Sequence, residues 1–317
     1  MDNKEIYKKT LTFSLRRLGW DVMSLIVIIL LTTAGFFLAD KAGGNALVGL
    51  VIGTIVGVVI VAILSHFVSY IFKAGQIAMM TKGVTEGKLP NDVYDAGKKA
   101  VKERFATVSG YYLATNAIKG IFNQLGRAIT SFGQAVGGDN GGAVGSTISS
   151  VIQTIVGYLC DCCLGWVFYR KDKGSVKATL EGAVLFFKHG KTFFKNMGRV
   201  FGISLISFAV IGGAFFGIFY LIAMGFPAIF ADLARTIAES GDAPEYLTEA
   251  NNLMLITAGV GGVVMWSILH SVFVRPFILI GVLRNFIESG KNETISEADF
   301  DKLDSKSAKF KKLHAKM

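Results

Sequence analysis

The sequence predicts an all-α polytopic membrane protein with six transmembrane helices arranged as three hairpins, joined by short amphipathic cytoplasmic helices. Three observations predict it. Hydrophobic residues make up 52% of the 317 and charged residues 18%, with 25 Phe and four Pro. Several apolar runs reach the roughly 20 residues that a helix needs to cross a hydrocarbon core. Lysine and arginine gather in the segments that follow each pair of runs. A soluble chain with buried core helices does not fit, because such helices seldom run past about 14 residues without a charge.

Lys4, Lys8, Lys9, Arg16 and Arg17 precede a first span over about 21–39. That run is longer than the apolar part of a signal peptide, so it reads as a helix with a cytoplasmic start. Asp40 to Asn45 turns the chain into a second span, 46–71. There Gly49, Gly53 and Gly57 repeat every four residues, a smooth ridge on which another helix can approach closely. Residues 72–106 are basic, and Pro90-Asn91-Asp92 starts a short helix with Asn91 as its N-cap. Val93, Gly97, Val101 and Phe105 line one side of it, as in a helix lying on a membrane surface.

The third segment, 107–135, is apolar except for one stripe. Ser109, Asn116, Lys119, Asn123, Arg127, Thr130 and Gln134 recur at helical spacing on a single face. A glycine-rich break at 137–142 leads to a fourth span, 147–169, with a thinner stripe of Gln153, Gly157 and Asp161. A second basic stretch, 170–199, carries an apolar face of Val176, Leu180, Val184, Phe187 and Phe194. The fifth span, 200–224, has Gly213 and Gly217 as a small-residue pair. The sixth, 253–287, has about 35 residues and is roughly 52 Å long, so it must tilt, kink at Pro276 or project into water. Residues 1–290 form the membrane domain and 291–317 a charged cytoplasmic tail, in which Ser296-Glu297-Ala298-Asp299 starts a further helix.

Charge sets the expected topology. With both termini cytoplasmic and six spans, 28 of the 33 Lys and Arg fall in cytoplasmic segments, counting Arg284 at the inner end of the sixth span. Only Lys41 and Arg235 fall outside, as the positive-inside rule demands. Laying the third helix flat on the cytoplasmic surface would send the bases of 170–199 to the wrong side, so it is read as spanning, with a re-entrant hairpin as the chief rival. Across the chain this pattern resembles uncharacterised bacterial six-span families, including the membrane domain fused to some glycerophosphodiester phosphodiesterases. The resemblance implies a bacterial cytoplasmic-membrane address and carries no functional residue with it.

Ionisable residues inside a membrane are costly, which makes each a candidate site. Counted from the cytoplasmic ends, Asp161 lies roughly 12 Å deep and Lys119 roughly 20 Å, so an extended lysine reaches the carboxylate. The expectation is an Asp161–Lys119 pair with Asn116, Asn123 and Gln153 nearby, while Arg127 snorkels outward. Such a seam transports or conducts a small polar solute or lipid head group between helices three and four. Its rival is a scaffold or assembly subunit, a homo-oligomer or one bound to a membrane partner, that holds anionic lipid or a cytoplasmic protein. Cys160, Cys162 and Cys163 cannot complete a four-ligand shell, so neither a metal nor a cofactor is expected. No phosphate loop, nucleophile elbow or HExxH is present, and no basic module for nucleic acid, so an enzyme is not expected.

Overall fold

The structure, a computed structural model, describes residues 1–105, 115–116, 119–121, 141–239 and 244–315, and every regular element among them is helical. Four helices are long and apolar enough to cross a membrane: Asn3–Lys41, Ala46–Ser65, Gly202–Met224 and Ala250–Gly290. They match the first, second, fifth and sixth expected spans. Of the third, 107–135, only Thr115, Asn116 and Lys119–Ile121 are described. The fourth belongs to a helix over Gly141–Tyr169, in which Val156–Tyr169 is apolar but short. Contacts divide the chain into one unit of Met1–Met197 with Phe277–Met317, and another of Gly198–Pro276.

The first unit is built on a hairpin of two long helices, α1 (Asn3–Lys41) and α2 (Ala46–Glu86). Asp2 caps α1 by accepting from the Glu5 N–H, and Asn45 caps α2 by accepting from Leu47 and Val48. Between them Gly43 takes φ +69°, a left-handed turn open to glycine. The glycine ridge does what its spacing predicts. A Cβ on Gly53 would come within 2.3 Å of the Leu31 carbonyl oxygen, one on Gly49 within 2.3 Å of that of Gly35, and one on Gly57 within 3.1 Å of the Ile28 Cα. The helices therefore touch backbone to backbone, with Thr32 and Thr54 sharing a hydrogen bond at 2.9 Å.

The same two helices change character along their length. From Val22 to Leu38 and from Val48 to Leu64 the outward side chains are large, apolar and exposed, a belt suited to lipid. Trp20 marks the end of the belt nearer the start of α1, with the indole N–H donating to Ser65 at 3.0 Å. Past that level Ile6, Phe13, Ile77 and Met80 are sealed from solvent. There α3 (Val93–Arg104) packs on the hairpin, and Phe13 is wedged between Gly75 and Gly97, where Cβ atoms would meet its ring at 2.7 and 2.5 Å. Its N-cap is Asp92, one residue after the expected Asn91, because the Asp92 carboxylate accepts from the Asp95 N–H at 2.9 Å.

Beneath the belt this unit adds α4 (Gly141–Tyr169), the start of α5 (Ser175–Ser207), and the end of the last apolar helix. Tyr158, Leu164, Trp166 and Val167 are buried, as are Leu283 and Phe286. Arg284 donates to Asn3 and to the Met1 carbonyl, both at 2.8 Å, tying the start of the chain to that last helix. The tail is not a loose appendage. Ser296 and Asp299 close a capping box on Glu297–Asp304, Ser307 caps Ala308–His314, and Phe300, Leu303 and Phe310 bury between them and the rest of the unit.

The second unit is a hairpin of its own, the end of α5 with α6 (Gly213–Met224) packing on α8 (Ala250–Leu269), and α7 (Pro227–Glu239) beside their far ends. Its close approach is not through the expected Gly213 and Gly217, where an added Cβ would meet nothing within 4 Å. It is through Gly212 and Gly262, where an added Cβ on Gly262 would lie 2.9 Å from the Gly212 carbonyl oxygen. The reason is a π-helical turn at Phe208–Gly212, which inserts a residue and rotates the face that follows. A second π-turn, His270–Val274, comes just before Pro276, whose missing N–H frees a carbonyl that a regular helix would leave orphaned.

Candidate functional site

Asp161 is the one expected site residue whose carboxylate the structure places fully. It is 2% exposed and sits on α4 beneath the apolar belt. Its cation is Lys73 of α2, at 2.6 Å, and not Lys119. Lys73 lies eight residues past Ser65, about 12 Å beyond the apolar belt along a straight helix. Lys119 and Asn116 are exposed. Two residues beyond Lys119, Ile121 is fully buried in a cluster with Leu180, Val184, Phe300, Leu303 and Phe310, and a Cβ on Gly120 would come 2.5 Å from the Lys309 side chain. The tail in that cluster carries Lys302, Lys306, Lys311 and Lys312, groups that belong in water. The expected Asp161–Lys119 pair is replaced by Asp161–Lys73, and Lys119 stands exposed two residues before the buried Ile121. Asn123 and Arg127, and the side chain of Gln153, lie outside the described residues.

A second charged centre lies nearby, one that the spacing of the sequence did not single out. Glu181 is 1% exposed. Its carboxylate accepts from Lys173 at 2.5 Å, pairs with Arg170 at 3.2 Å, and receives the Trp166 indole N–H at 3.4 Å. Arg170 also grips Asp172 with two bonds at 2.9 and 2.8 Å, and that bond holds the Asp172 carboxyl down to about 2. Arg104 donates to the Arg170 carbonyl at 2.9 Å, and burial lowers its own pKa. The signal was available: Glu181 interrupts the apolar face of Leu180 and Val184, where an acid would otherwise be bare.

No known protein family, curated protein or solved structure matches this chain. Its chemistry is read from its own residues alone. The buried carboxylates are each satisfied by cations from neighbouring elements, an arrangement that locks helices together. Cys163 packs against Gly182, and the three cysteines, all buried, form no disulfide. In the second unit Trp266 donates to Ser207 at 3.1 Å and His270 shares a bond with Ser204 at 3.1 Å, polar links at the level of the two π-turns. Two open cavities flank the first unit. One of about 660 Å³ is lined by Lys82, Lys99, Arg104 and Lys171, the other of about 730 Å³ by Lys8, Lys9, Arg16 and Tyr94.

Proposed function

We propose that this membrane protein is an anchored helical platform with four crossings, whose working part is the charged helical layer beside the bilayer. The observation that carries this is the burial of Ile121 among Leu180, Phe300 and Phe310. It seats the middle of the third segment, at Ile121, against the tail. The alternative, transport through helices three and four, needs Lys119 and Asp161 paired inside the hydrocarbon. Asp161 instead pairs with Lys73, about 12 Å outside the belt.

Charge supports the same topology. Withdrawing the third and fourth helices together, rather than one at a time, leaves the parity of crossings unchanged. Lys41 and Arg235 remain the sole bases in the two far loops, so the termini and all three basic stretches stay on the cytoplasmic side of a bacterial membrane. The scaffold then presents its basic surface to anionic lipid or to a cytoplasmic partner.

Proteoliposomes loaded with radiolabelled phosphate or glycerol 3-phosphate test the choice. The platform leaves efflux equal to that of protein-free vesicles. Efflux that saturates with solute and falls in Asp161→Asn would overturn it.

A further inference from the structure

The exposed face of α1 runs without a break from basic to apolar. Lys8, Thr12 and Arg16 succeed one another at helical spacing, and the same face continues through Gly19 to Met23, Ile26 and Leu30. The last three are 58%, 46% and 63% exposed, and a Cβ on Gly19 would meet nothing within 4 Å. At the basic end, the start of α3 closes the cavity of about 730 Å³, a size typical of small-ligand sites.

Arg16 is stacked on an aromatic ring. Its guanidinium lies 3.8 Å from the centre of the Tyr94 ring, which fixes the plane and leaves the N–H edge to donate. Among the described residues no carboxylate lies within ion-pair distance of Arg16 or Lys8, and Lys9 has only an exposed Glu5 at 3.6 Å. Asp92, the acid in the lining, is turned to the Asp95 N–H. Position agrees with chemistry. Arg16 is four residues past Trp20, about 6 Å, and bilayer headgroups occupy roughly 5–7 Å beyond each edge of the hydrocarbon.

We infer that this cavity binds the headgroup of an anionic phospholipid, with its phosphodiester on Arg16, Lys8 and Lys9 and its acyl chains along Met23, Ile26 and Leu30. The proposal takes from the platform reading only the position of the bilayer on α1. Efflux and headgroup binding are measured separately, so either can fail alone.

The test is titration of the detergent-solubilised full chain, followed by native mass spectrometry, with phosphatidylglycerol, phosphatidylcholine and glycerol 3-phosphate. Phosphatidylglycerol is expected to bind at least about tenfold more tightly than phosphatidylcholine, with glycerol 3-phosphate a poor competitor. Arg16→Gln and Lys8→Gln each weaken phosphatidylglycerol about three- to tenfold and leave phosphatidylcholine unchanged, while Arg16→Lys falls between. Lys8 is exposed, so its variant keeps the test decisive should Arg16→Gln fold poorly. Equal binding of the two lipids, or variants with wild-type preference, would overturn the site. Competition by glycerol 3-phosphate at the concentrations where phosphatidylglycerol binds would overturn the lipid assignment.

Discussion

Lys73 and Asp161 are bonded to each other but not equally sheltered. The lysine side chain is 33% exposed and the aspartate 3%. Removing the cation takes the ion-pair partner from a carboxylate sealed from water, whereas removing the carboxylate leaves a lysine that can swing outward. Lys73→Met is therefore expected to cost about 2–4 kcal/mol and Asp161→Asn about 1–2. Thermal unfolding of both variants in detergent checks the order, and a larger loss for Asp161→Asn would contradict it. His314 carries a pH effect of known sign. Its hydrogen bond with Asp304 at 2.9 Å, helped by Glu297, raises the pKa of the imidazole. The protonated form thus favours the docked tail. That contribution is whole below the ordinary histidine value near 6.5 and is lost as pH rises through the raised one. Proteolysis of the tail, measured against His314→Ala at each pH, should differ at pH 6 and converge in alkaline buffer.

Two glycines of similar sequence context behave oppositely at the scale of the helix pair. Gly53 lies under the Leu31 backbone with no room for a Cβ, while Gly217 faces open space. Gly53→Val should force the first hairpin apart and lower its unfolding temperature, whereas Gly217→Ala should be neutral or stabilising by up to about 1 kcal/mol. The first ridge was legible because α1 and α2 are regular there and period four holds. The second was not, because a π-turn changes the register and leaves no mark in residue spacing. The tail helices were legible in their capping residues but not in their docking. Phe300, Leu303 and Phe310 are few enough to pass for a solvated segment until Ile121 and Leu180 meet them. Phe310→Ala should cost about 3–5 kcal/mol and free the tail to protease, if that contact is what seats it.

The whole molecule turns on how many helices meet lipid. Hydropathy identified all-helical membrane sequence and the four long apolar helices, because exposure to hydrocarbon demands unbroken apolar runs. It could not tell a helix buried in lipid from one buried in protein. Val156–Tyr169 satisfies either, and its side chains are in fact covered by α2, by the start of α5 and by Leu283 and Phe286. Pairing residues by depth failed for the same reason, since Asp161 took its cation from outside the belt. The most direct measurement is labelling of a single cysteine at Lys119, with Cys160, Cys162 and Cys163 replaced, by a membrane-impermeant maleimide. The account predicts reaction from the same side, and at a similar rate, as a cysteine at Lys309. Protection from both sides, or reaction from the side of Asn45, would contradict it.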